Sequence, residues 1–176
     1  MNQVRIAERA DVAALQQLIV RSARGLSAGY YTPEQTEALL RYVFGVDTQL
    51  IEDHTYLLIE VDGEIVACGG WSKRATLFGG DQAKTGADPL LDPSVEPARI
   101  RAFFVDPRMA RRGLGRQLIA RCATEAKMAG FKSLELVSTL PGEPLYLASG
   151  FAVTERFDLT LPEGVRVPVV RMRLPL

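Results

Sequence analysis

The sequence predicts an α/β (α+β) fold, on three observations. Short apolar runs of strand length are interleaved with segments whose apolar residues recur at helical spacing. Asp62-Gly63 between two such runs marks a tight hairpin, because both positions accept the positive φ that the turn requires. The C-terminal segments 151–159 and 165–174 read as two β arms joined by Pro162-Glu163-Gly164. With 176 residues and 47% hydrophobic content, the chain can bury a real core, and without an internal repeat residues 1–176 read as a single domain.

Each element follows from local chemistry. Val4, Ile6 and Ala7 among polar neighbours form the first strand. Asp11 is positioned to cap a helix with apolar positions Val12, Leu15, Leu18 and Ile19. Residues 25–31 read as a turn that leaves Tyr30 and Tyr31 at an entrance, and Thr32-Pro33-Glu34-Gln35 is a capping box that opens a second helix ending near Phe44. Strands two and three are 55–61 and 65–71. Residues 73–97, rich in Gly, Pro and Asp, form a long excursion with a small hairpin expected at Gly79-Gly80. Strand four (99–105), a third helix (114–128) stopped by Gly130, and strand five (133–138) follow. A short helix at 143–149, closed by Gly150, precedes the β arms.

Composition excludes several function classes. Twenty-one basic side chains balance twenty-one acidic ones, so no global field draws the chain to nucleic acid or an anionic membrane. Cys68 and Cys122 stand alone and His54 has no ligand-type neighbours, which argues against a metal site. The N-terminal segment lacks the apolar centre of a signal peptide and no stretch is long enough to span a bilayer, so a soluble, cytoplasmic protein is expected.

The most informative stretch is Arg111-Arg112-Gly113-Leu114-Gly115, between strand four and the third helix. A strand, a glycine turn and a helix N-terminus in that order let unpaired N–H groups converge on an anion such as phosphate. A dinucleotide fingerprint is excluded because Leu118 stands where its third glycine belongs. A P-loop at 79–85 fails because Phe78 and Ala83 replace its glycines.

What remains resembles the GCN5-related N-acetyltransferase family. Its Q/R-x-x-G-x-G/A signature matches Ala110-Arg111-Arg112-Gly113-Leu114-Gly115 except at Ala110, preceded by Phe103-Phe104-Val105-Asp106-Pro107. A second match is Tyr146-Leu147-Ala148-Ser149-Gly150-Phe151, similar to the family's Y-x-x-x-G-F. The resemblance implies a mixed, mostly antiparallel central sheet flanked by helices, and acetyl-CoA as cosubstrate. It implies that the pyrophosphate rests on Ala110, Arg111, Arg112, Gly113, Leu114, Gly115 and Arg116, mainly through main-chain N–H groups. Arg108 and its neighbouring arginines are further candidates for the cofactor's phosphates. Backbone groups of Phe103, Phe104 and Val105 are expected to pair with the pantetheine, one of their N–H groups polarising the thioester carbonyl.

By the same resemblance Tyr146 is the candidate acid that protonates the departing thiolate. No base is evident: where some family members carry a glutamate on strand four this chain has Arg99, which leaves Glu96, Glu143, an ordered water or deprotonation before binding, with Glu96 ranked first. The acidic residues Asp81, Asp88, Asp92 and Glu96 read as loop solubility or as an attraction for a cationic amine. Tyr30, Tyr31, Trp71 and residues 73–97 are candidates to line the acceptor pocket. The expected activity is acetyl transfer to the amine of a small molecule or peptide in a ternary complex. Its alternative is a CoA-binding regulatory or interaction module, to which Ala110 and the missing base point. Analogy adds a homodimer formed through the C-terminal strands.

Overall fold

A computed structural model describes residues 2–176. Seven strands form one sheet in the order β1-β2-β3-β4-β5-β7-β6. These are β1 (Gln3–Ile6), β2 (Tyr56–Val61), β3 (Glu64–Ser72), β4 (Ala98–Val105), β5 (Ser133–Thr139), β6 (Ala152–Thr160) and β7 (Arg166–Pro175). Every neighbouring pair is antiparallel except β4 and β5. The expected mixed, mostly antiparallel sheet is therefore present.

Helices cover both faces. On one lie α1 (Val12–Leu26), α2 (Pro33–Tyr42) and α3 (Thr48–Glu52); on the other lie α4 (Leu114–Met128) and α5 (Glu143–Ala148). Strand alternation sorts the core accordingly. Leu15, Leu18 and Ile19 of α1 pack with Tyr56, Leu58 and Cys68. Leu114, Leu118 and Cys122 of α4 pack with Leu57, Ile59, Ala67, Leu134 and Leu136. A third cluster joins Leu39 and Val43 to Val167 and Val169 at the far end of the first face.

Much of the local reading holds, with four corrections. The β2–β3 turn uses Asp62 (φ 51°) and Gly63 (φ 80°), and Thr32 and Gln35 make the reciprocal capping box of α2. Asp11, however, does not cap α1 with its side chain. It binds the Glu8 N–H at 2.7 Å and the Arg5 guanidinium at 2.8 Å, closing a 3₁₀ turn before the helix. Helix α1 runs through Gly25 to Leu26, and the glycine serves packing instead of a turn: a Cβ there would meet Pro107 Cγ at 2.3 Å. There is no hairpin at Gly79-Gly80. These residues lead into a 3₁₀ turn at Asp81–Ala83, and the excursion closes on itself further back, where Arg74 bridges Leu90. Helix α3, only five residues long, was not expected, although Asp47 caps it through the Gln49 N–H at 3.0 Å.

Candidate active site

The site begins with a defect in β4. Ala67 faces Val105 and Cys68 faces Phe104, but Gly70 faces Arg101, so Ala102 and Phe103 together oppose Gly69. This is a β-bulge, and it turns Ala102 to φ 55°. A left-handed alanine costs about 1–2 kcal/mol and needs surroundings that hold it. The Tyr56 hydroxyl lies 3.3 Å from the Ala102 carbonyl and 3.2 Å from Cys68 Sγ, and the Cys68 thiol donates to the same carbonyl at 3.7 Å. Burial pushes the Cys68 thiol up to about 12 and raises the Tyr56 phenol, so both remain protonated donors at neutral pH. In a planar trans peptide the C=O and the following N–H point in opposite directions. The clamp on Ala102 therefore turns the Phe103 N–H away from Tyr56 and Cys68. Gly69 leaves the room: a Cβ there would lie 2.6 Å from the Phe103 ring.

Beyond the bulge β4 leaves β5. The two pair in parallel only at Ala98–Leu134 and Arg99–Glu135, so a wedge opens towards their C-terminal ends. On the α4 side of this wedge the Tyr146 ring stands edge-on to Phe103 at 6.2 Å and to Phe151 at 5.7 Å. Among the described residues its hydroxyl has no hydrogen-bond partner. Among the described residues the fully buried side-chain polar atoms left unpaired are Thr55 Oγ1 and Arg171 Nε, so the Tyr146 hydroxyl keeps some contact with solvent. Burial raises its pKa, which keeps the proton on the oxygen. Of the expected backbone donors on β4, the Val105 N–H is already bound, to Ser22 Oγ of α1 at 3.1 Å.

The chain then enters a 3₁₀ turn, Pro107–Met109, whose N-cap is the buried Asp106. Asp106 accepts from the Arg108 N–H at 2.9 Å and from the Arg108 guanidinium, whose hydrogen bonds hold its carboxyl down at about 2. Arg108 also binds Glu64 at 2.6 Å. Ala110 closes the turn with its N–H on Pro107 at 3.4 Å. From Arg111 through Arg112, Gly113, Leu114 and Gly115 to Arg116, no backbone N–H has an acceptor among the described residues; the first to find one is Gln117, on Gly113 O at 3.0 Å. Gly113 is the N-cap of α4 at φ 83°, a conformation costly for any side chain, and nothing lies within 4 Å of a Cβ built there. Gly115 serves the packing of two helices. A Cβ there would meet Leu145 Cδ2 at 2.7 Å, so this glycine lets α5 pack on α4. Arg111, Arg112 and Arg116 are exposed and without an ion-pair partner among the described residues. Six free N–H groups, a left-handed glycine and three uncommitted arginines suit a pyrophosphate.

Several candidates fall elsewhere. Glu96 precedes β4 at the end opposite the wedge and accepts the Asp92 N–H at 2.7 Å, so the structure does not bring it to Tyr146. Glu143 is tied to Arg156. Asp81, Asp88 and Asp92 likewise accept N–H groups of Thr48, Thr76 and Ser94, as local braces of the excursion. Trp71 is buried on the α4 face with its N–H on Glu125 at 3.0 Å. Tyr31 is buried too, donating to Pro168 O at 2.6 Å and accepting from Leu140 N–H at 2.9 Å; Tyr30 alone is exposed.

The sequence reading missed the buried charges. Arg101 of β4 meets Asp47 at 2.9 Å, and Lys84 meets the other Asp47 oxygen at 2.6 Å, which fastens the excursion over the sheet. The signal was arginine at alternate positions, 99 and 101, within an otherwise apolar strand. No group of residues suited to a metal ion occurs among the described residues, and no helix is long and apolar enough to cross a membrane.

Comparisons with known proteins agree with this architecture. A family model described as the acetyltransferase (GNAT) family matches residues 14–151. The chain is similar to a GCN5-related N-acetyltransferase structure from Rhodopseudomonas palustris at 18% identity, over 100% of this chain and 96% of that one, with a TM-score of 0.73. It is also similar to the PaiA N-acetyltransferase of Thermoplasma acidophilum, solved with coenzyme A: 13% identity, 100% and 99% coverage, TM-score 0.68. YncA of Salmonella typhimurium, described as a putative acetyltransferase with its cofactor acetyl-CoA, is similar at 18% identity, 100% and 94% coverage, TM-score 0.65. No curated protein sequence matches.

Proposed function

The chain belongs to the acetyltransferase (GNAT) family, and on that premise we propose that it transfers acetyl from acetyl-CoA to an amine of a small molecule or peptide. What supports this above all is the run of six unpartnered N–H groups from Arg111 to Arg116, at the mouth of a wedge lined by Phe103 and Tyr146. Acetyl-CoA supplies an activated acetyl thioester. The chain's own residues do the rest. Residues 111–116 and the N-terminal end of the α4 dipole hold the pyrophosphate, with Arg111, Arg112 and Arg116 available to its charge. The Phe103 N–H is the donor aimed to polarise the carbonyl. Tyr146, kept protonated by burial, delivers a proton to the departing sulfur. With Glu96 on the Asp92 N–H and Glu143 on Arg156, the acceptor ammonium gives its proton to water before the neutral amine attacks, and the proton that the new amide nitrogen sheds after attack restores the Tyr146 phenol.

A thiol-release screen of acetyl-CoA against diverse amines tests the reading. Release with at least one amine supports it. Saturable CoA binding without release from any amine supports the alternative, a binding module.

A further inference from the structure

We propose that two copies of this chain join through β6, antiparallel about Phe157, so that the sheet of one continues into the sheet of the other. β6 ends the strand order, and of its nine residues all but Phe157 and Leu159 are exposed. Among the described residues its backbone groups bond only within the β6–β7 ladder, so those that point outward have no partner. The other edge of the sheet is β1, only four residues long. A long open edge templates pairing with another strand, and shortness, lysine, proline and bulges are what usually prevent it. β6 holds neither proline nor lysine, and its bulge, between Val153 and Glu155, leaves 155–160 in unbroken register with β7.

The charges on this edge select a second copy and one register. A two-fold axis between antiparallel copies sets one residue opposite its own counterpart. Centred on 155, 156 or 158, it opposes Glu155, Arg156 or Asp158 to itself, and like charges directly opposite destabilise a strand pair. Centred on Phe157, it sets Arg156 opposite Asp158 on both sides of the axis and the two Phe157 rings opposite each other. Opposite charges and aromatic pairs are the cross-strand contacts that stabilise a sheet. Arg156 and Asp158 share the α4 face, since they stand opposite Val170 and Pro168 of β7 and Val170 packs into the α4 core. Both have capacity to spare. Arg156 donates to Glu143 through Nη1 and Nη2, which leaves Nε free, and Asp158 meets Arg166 through Oδ2 at 3.0 Å, which leaves Oδ1. Their side chains are 59% and 39% exposed, within reach of a partner. Phe157 projects from the other face, opposite Val169, against the cluster of Leu39, Val43 and Val167. An unrelated strand satisfies the backbone of this edge; a copy of β6 satisfies its charges as well.

Analytical ultracentrifugation of the full chain over a dilution series tests this, beside Arg156→Glu, Asp158→Arg and the two variants mixed in equal amounts. Each variant alone opposes like charges across the axis, whereas in the mixture every such pair is again of opposite sign. The parent is expected to dimerise, each variant to dimerise at least about tenfold more weakly, and the mixture to regain the dimer. A parent that stays monomeric overturns the proposal, and so does a mixture of folded variants that associates no better than its components. Hydrogen exchange of the parent needs no variant. Amides within 155–159 are expected to be protected where the dimer dominates and to exchange on dilution; equal exchange under both conditions overturns β6 as the interface. Neither readout involves acetyl transfer.

Discussion

The Tyr56 hydroxyl and the Ala102 carbonyl meet at 3.3 Å across β3, joining the second strand of the sheet to the bulge in the fourth. That contact, with the Cys68 thiol beside it, sets which way the Phe103 N–H points. Tyr56→Phe keeps the ring in its buried place and removes the clamp. We expect kcat to fall at least tenfold, short of the roughly 100-fold that outright loss of an oxyanion donor costs, with the CoA dissociation constant unchanged. Steady-state kinetics beside a binding titration separate the two; equal loss in both would mean that Tyr56 serves folding alone.

Tyr146 touches Phe103 and Phe151 through its ring, and its hydroxyl has no hydrogen-bond partner among the described residues. Tyr146→Phe preserves those contacts, so stability and CoA binding should hold while turnover falls roughly 100-fold or more, the usual contribution of a general acid. Unchanged turnover removes Tyr146 from the chemistry.

Asp47 is wholly buried between Arg101 and Lys84. Removing the anion strands Arg101 in the core. Asp47→Ala should cost about 3–5 kcal/mol in urea unfolding, the range for breaking a buried ion pair from one side. A loss below about 1 kcal/mol, as for an exposed pair, would contradict this.

Asp106 has its carboxyl lowered from 3.8 to about 2, first by its hydrogen bonds from Arg108. Because the folded value lies below the unfolded one, the stabilisation is complete above about pH 4 and is lost as pH falls through about 2. The shift corresponds to roughly 2 kcal/mol. Asp106→Asn should be less stable by about that amount at pH 7 and nearly equal to the parent near pH 2. A difference independent of pH would assign the effect to packing.

What could be read from the sequence was what is decided locally. Asp62-Gly63, the Thr32–Gln35 box and the Gly113 turn each impose their conformation through a few adjacent residues, and each stands where expected. What escaped depends on partners far along the chain. Arg101 is explained by Asp47 and Lys84, Gly25 by Pro107, Gly115 by Leu145, and the burial of Tyr31 by Pro168 and Leu140. Where the Glu96 carboxylate goes is decided in the same way, by the Asp92 N–H that it accepts at 2.7 Å.

The central claim is that the N–H groups of Arg111 to Arg116 grip a pyrophosphate, and calorimetric titration with CoA and with pantetheine, which lacks it, tests this most directly. CoA should bind saturably and at least 100-fold more tightly than pantetheine, about 2.7 kcal/mol. Equal affinity for the two, or no heat with CoA, would contradict the account.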